Sequence, residues 1–89
     1  MVKLEVFSGD PPCPGCVALV ELAKEVASRY EGELELTVYV GQEGMEKFDA
    51  YRLFCVPAAV VNGSIRIEGM CPSEATLNNA LREGGLCLR

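Results

Sequence analysis

The chain has 89 residues, which predicts one domain over residues 1–89 with a thin core, since a chain this short buries only about 60–65 % of its unfolded surface. Its net charge is −5 and it has no histidine, which excludes nucleic acid as a partner for want of a basic cluster and removes the usual general base and imidazole metal ligand. No apolar run approaches the roughly 20 residues of a bilayer span, and Met1–Glu5 lacks the basic start and unbroken apolar stretch of a secretion signal, so no membrane association and a cytoplasmic location are expected.

Val2, Leu4 and Val6 alternate with Lys3, Glu5 and Phe7 and predict a first strand. Ser8 to Pro12 is a turn-rich loop ending in two prolines. From Pro14 the spacing becomes helical: Cys16, Leu19, Val20, Ala23, Val26, Ala27 and Tyr30 share one face, while Glu21, Lys24, Glu25 and Arg29 look away. Pro14 suits the first helical turn, where its missing N–H costs nothing, and Gly32 ends the helix.

Leu34, Leu36, Val38 and Val40 then alternate with Glu33, Glu35, Thr37 and Tyr39, a strand with one wet side at a sheet edge. Gly41–Gly44 reads as a loop, and Met45, Phe48 and the stem of Arg52 share a face of a short helix to about Leu53. After Pro57, Ala58–Val61, Asn62-Gly63 and Ile65–Glu68 predict a β-hairpin, because Asn-Gly supplies the two positive-φ residues of a type I′ turn. A last helix starts near Pro72, carries Ala75, Leu77, Ala80 and Leu81, and stops at Gly84-Gly85. The order βαβαββα makes the first two strands parallel with a right-handed crossover, and the last two an antiparallel pair.

Five cysteines, Cys13, Cys16, Cys55, Cys71 and Cys87, are many for this length, but an odd number argues against a fully paired disulfide scaffold. Cys13 and Cys16 stand out. They lie three positions apart where a strand gives way to a helix, which brings their Cβ atoms to about 5–6 Å on one face, within reach of a disulfide. The first N–H groups of a helix have no partners and carry roughly half a positive charge, which favours a thiolate at Cys13. A thiolate attacks a disulfide and a thiol does not. Cys16, one turn inside on the apolar face, is placed to attack the resulting mixed disulfide. The competing reading is half of a metal or cluster site, which needs ligands from the scattered Cys55, Cys71 or Cys87. No metal ligand is assigned.

These residues resemble the thioredoxin and glutaredoxin superfamily over nearly the whole chain, and most of all its minimal members from archaea and bacteria. The resemblance rests on four landmarks in order: Cys13-Pro14-Gly15-Cys16, Val56-Pro57, the hairpin Val60-Val61-Asn62-Gly63, and Gly69 before the last helix. It implies a thioredoxin fold with sheet order 2-1-3-4 and helices on both faces. It also implies thiol–disulfide exchange with Cys13 as nucleophile and Cys16 as resolving cysteine. Pro57 is expected in cis, leaving the Val56 backbone free for an extended substrate peptide, with Pro14 and Gly15 completing the substrate-binding surface. The partners implied are protein disulfides and an upstream reductase; the protein itself is expected to act as a monomer. No cofactor is implied, since the electrons reside on sulfur.

The chain departs from the superfamily at three places. Thioredoxins carry Trp before the first cysteine and a buried Asp six residues before it, where this chain has Pro12 and Phe7. The Gly-Gly pair with which glutaredoxins hold glutathione is replaced by Glu68-Gly69-Met70-Cys71. Of the remaining thiols, Cys55, two residues before Pro57, is read as a buried small hydrophobe, with a third exchanging thiol as the alternative. Cys71 is read as a cap-position residue of the last helix and Cys87 as an exposed tail residue. Asp10 is read as a solvated turn residue, and Glu31, Glu33 and Glu35 as charges guarding a sheet edge.

Overall fold

A computed structural model describes residues 2–11, 13–69 and 73–86. The elements are β1 (Val2–Ser8), α1 (Pro14–Arg29), β2 (Leu34–Val40), a 3-10 turn (Gly41–Gly44), α2 (Met45–Ala50), β3 (Ala58–Val61), β4 (Ile65–Glu68) and α3 (Glu74–Glu83). They form one four-stranded mixed sheet in the order β2-β1-β3-β4, the expected order. β1 runs parallel to β2, with Val2 opposite Leu34 and Ser8 opposite Val40, and antiparallel to β3, with Leu4 opposite Val61. β2 is therefore an edge strand, as its polar alternation predicts, while β1 is central.

Centrality changes β1. Lys3 and Glu5 are charged, yet from Leu4 to Ser8 every residue is buried. Val2, Leu4 and Val6 pack with Ala59 and Val61 against Leu19, Ala23 and Val26 of α1 and Leu77 and Leu81 of α3. Phe7 points the other way, into a smaller cluster with Leu53, Ala58 and Val60, flanked by Tyr39, Phe48 and Tyr51. Helices thus cover both faces, but unequally: α1 and α3 on one side, and on the other only α2, with six residues. Fully burying a leucine or valine stabilises the fold by about 1.5–3 kcal/mol, so the α1/α3 side supplies most of the core.

The short helix is briefer than its apolar spacing suggests. It ends at Ala50, not Leu53, because Arg52 adopts a left-handed conformation (φ 56°) and the Leu53 N–H turns back to the Phe48 carbonyl at 3.0 Å. Met45 is 46 % exposed, so Phe48 alone carries the inward face. Gly41–Gly44 is one 3-10 turn, not an irregular loop. Gly44 is required there: a Cβ would stand 2.5 Å from Tyr39 Cβ.

α1 stops at Arg29 with Tyr30 as its C-cap, and the chain turns through Gly32 at φ 83°. The hairpin turn forms with both expected positive-φ residues, Asn62 (52°) and Gly63 (73°), and Ser64 follows as an extra residue before the Val61–Ile65 pair. α3 begins at Glu74, and its N-cap is Ser73, whose Oγ accepts the Thr76 N–H at 3.1 Å. That displaces the cap expected around Cys71 and Pro72, which, like Cys87, lie outside the described residues. Leu77, Ala80 and Leu81 face the core as expected, whereas Ala75 is exposed. No helix among the described residues is long and apolar enough to cross a membrane.

Candidate redox site

β1 ends at Ser8 and the chain re-enters regular structure at Pro14, so the Cys13–Cys16 segment stands at the C-terminal edge of the sheet. Cys13 is the N-cap of α1, with extended backbone (φ −75°, ψ 166°). An N-cap side chain normally offers oxygen to the unpartnered N–H groups of the first turn. Here sulfur does so: the Cys16 N–H donates to Cys13 Sγ at 3.1 Å. Pro14 follows in the first turn, where no N–H is missed.

The two sulfurs are 2.7 Å apart and joined by an S–H···S contact, with both cysteines as free thiols. They differ in access: Cys13 is exposed and Cys16 is fully buried on the apolar stripe of α1. Burial pushes the Cys16 thiol up. The hydrogen bond with Cys13 and contacts from the Gly9 and Cys13 backbone and the Ser8 hydroxyl outweigh it, so the thiol lies below its ordinary range. Access then decides which sulfur an outside molecule meets first.

The Val56–Pro57 bond is cis, as expected. Pro57 is buried against the pair: a Cβ on Gly15 would stand 3.4 Å from Pro57 Cγ and 4.0 Å from Cys13 Sγ. Gly15 is thus the contact point between the motif and the proline. Val56 is 39 % exposed, its side chain lies near Gly9, and among the described residues its backbone has no hydrogen-bond partner. Pro14 is exposed beside them. Of the residues expected at the site, Cys13 and Cys16 are in contact, Gly15 lies between Cys13 and Pro57, and Pro14 and Val56 are exposed around them.

Cys55 is exposed, contrary to the buried position expected of a small hydrophobe. The chain is anchored by the buried Leu53 and Pro57, which leaves the residues between them outside. Its sulfur lies toward Gly69, where a Cβ would stand 3.2 Å away. Among the described residues no three side chains of Cys, Asp or Glu come together to hold a metal ion, so the competing metal reading finds no third ligand there.

Two further features carry no motif. Ser8, buried at 5 % exposure, presents its hydroxyl toward Cys16; only its place at the end of a central strand could have singled it out. Glu5, 9 % exposed, accepts hydrogen bonds from Tyr39 (3.0 Å to Oε2) and Tyr51 (2.5 Å to Oε1). Glu5 is the middle residue of β1, at a polar groove of about 540 Å³ that includes Lys3, Lys47 and Asn62. Bonding to Glu5, then burial, pushes the Tyr51 hydroxyl up to about 12; burial and the same carboxylate raise Tyr39. Phe7, at the position where thioredoxins carry Asp, is the hub of this side: Tyr39 stacks on it at 4.9 Å between ring centroids, and Phe48 and Tyr51 meet it edge-on.

Comparison with known proteins agrees with this geometry. A thioredoxin from Methanocaldococcus jannaschii is 30 % identical over 82 residues, covering 92 % of this chain and 94 % of the relative. A probable thioredoxin from Methanothermobacter thermautotrophicus is 30 % identical over 83 residues, covering 93 % and 95 %. Among solved structures, a mutant thioredoxin from Halobacterium salinarum NRC-1 superposes with a TM-score of 0.75 at 19 % identity, covering 99 % of this chain and 78 % of that one, which bears on the fold. The relatives support a thioredoxin-like redox function. With a family profile described as thioredoxin domain matching residues 2–82, the chain belongs to the thioredoxin-domain family.

Proposed function

We propose that the protein is a thiol–disulfide oxidoreductase that exchanges the Cys13/Cys16 dithiol with disulfides of protein partners. One observation carries the proposal: an exposed sulfur caps a helix and hydrogen-bonds a fully buried second sulfur 2.7 Å away. In the reducing direction, the Cys13 thiolate attacks one sulfur of the substrate disulfide. A mixed disulfide forms, and the other substrate sulfur leaves as a thiolate. Cys16 loses its proton and attacks Cys13 Sγ, which releases the second substrate sulfur and leaves a Cys13–Cys16 disulfide. Two electrons pass from the pair to the substrate, and an upstream dithiol reductase returns them. Exchange needs no cofactor, because thiolate attack on sulfur is the whole chemistry. The protein acts as a monomer, with Pro14, Gly15, Val56 and Pro57 as the surface on which the substrate chain lies.

Insulin reduction coupled to a dithiol reductant tests this proposal, together with a redox titration read by alkylation and mass spectrometry. The expected results are turnover that vanishes in Cys13→Ser, and one two-electron transition confined to Cys13 and Cys16. Turnover that survives Cys13→Ser overturns the proposal.

A further inference from the structure

We propose that Phe54 is a docking anchor for protein substrates, held out beside the redox pair by a clamp from β4 in which Glu68 is the positioning residue. The inference rests on the exchange function proposed above and adds a specificity-determining contact to it.

Phe54 is 88 % exposed, while the other exposed large hydrophobic side chains, Val17, Val40, Met45 and Val56, lie between 38 % and 46 %. A phenylalanine so fully in water is ordinarily the tip of a slack loop. This one is on a fastened segment. Leu53 on one side is buried and its N–H bonds the Phe48 carbonyl; Pro57 on the other is buried and its carbonyl accepts the Gly69 N–H at 2.9 Å. Phe54 itself is pinned, since its N–H donates to Glu68 Oε1 at 2.7 Å. Two residues earlier on β4, Arg66 donates to the Tyr51 carbonyl at 2.8 Å. Residues i and i+2 of a strand share a face, so Arg66 and Glu68 fasten the segment from one side. With its backbone held, the Phe54 ring has only its own two torsions to lose on binding. Rigid aromatic anchors of that kind dominate interface energies.

The place of the ring defines its occupant. Phe54 lies three positions before Pro57, at most about 11 Å of chain, and Pro57 lies against the motif at Gly15. A molecule bound at Cys13 and large enough to extend several residues beyond its disulfide reaches the ring; a small disulfide does not. A single protruding ring is no cavity for a metabolite. It needs a partner that brings its own apolar pocket, which is a folded or partly folded protein.

The test compares insulin with hydroxyethyl disulfide as substrates for the wild type, Phe54→Ala, Glu68→Ala and Glu68→Gln. Phe54→Ala is expected to raise KM for insulin about 5–30-fold, the range of interface anchors, with kcat and the rate on hydroxyethyl disulfide unchanged. Glu68→Ala is expected to move KM in the same direction by less, and Glu68→Gln, which keeps an acceptor oxygen for the Phe54 N–H, to recover most of the loss. An unchanged KM for insulin in Phe54→Ala overturns the anchor, as does a parallel fall on both substrates. Glu68→Ala and Glu68→Gln behaving alike overturns the clamp. A wild type that reduces neither disulfide overturns the exchange function itself, an outcome distinct from the other three.

Discussion

The C-terminal exit of β1 and its middle handle titratable groups in opposite ways. Beyond the exit, Cys13 is exposed, accepts a helix N–H on its sulfur and donates to the buried Cys16 sulfur. At the middle of the strand, Glu5 is buried and both carboxylate oxygens are already bonded to tyrosines. The first arrangement leaves a nucleophile open to an outside disulfide. The second satisfies a charge internally and ties β1 to β2 and to the residue that follows α2. A titratable group with an open side can serve reactivity, whereas one whose acceptor atoms are all bonded serves structure.

Substitutions sharpen this contrast, beginning with the largest effect. Cys16→Ser should abolish turnover and accumulate a mixed disulfide through Cys13, detected as an insulin-chain adduct by mass spectrometry, because the resolving sulfur is gone. Leu19→Ala removes a fully buried side chain from the core beneath the site. It should cost about 2–5 kcal/mol in urea unfolding, the usual penalty for emptying a core leucine. Tyr51→Phe leaves Glu5 Oε1 without its donor and should cost about 1–3 kcal/mol with insulin turnover unchanged. A loss of turnover at constant stability would break the division between the two regions.

The smallest effect is in pH. Tyr51 titrates near 12 in the fold against its ordinary value of about 10. Its folded value is raised, so its contribution is complete below pH 10 and fades as pH rises toward 12. Melting temperature should fall more steeply over that window in the wild type than in Tyr51→Phe.

Much of the candidate site was legible from spacing. Cys13 and Cys16 are three positions apart at a strand-to-helix junction, and both their contact and the burial of the inner one follow from helix geometry. Asn62-Gly63 announced its turn because backbone conformations there favour those residue types. Cys55 was misjudged because cysteine's general preference for burial says nothing about where Leu53 and Pro57 anchor the chain. The enclosure of Glu5 has no local signal because its partners lie 34 and 46 residues away. The early end of α2 came from the left-handed turn at Arg52, a position with no glycine to mark it.

By itself, the sequence determined the order of strands and helices, the parallel and antiparallel pairings, and the meeting of two sulfurs at a helix start, because periodicity and capping act over a few residues. Only the tertiary structure decided that Glu5 is enclosed by two tyrosines, that Pro57 closes on Gly15, and that Phe54 and Cys55 stand outside between two buried anchors. Those outcomes depend on which distant segments the sheet brings together, and no local pattern encodes that.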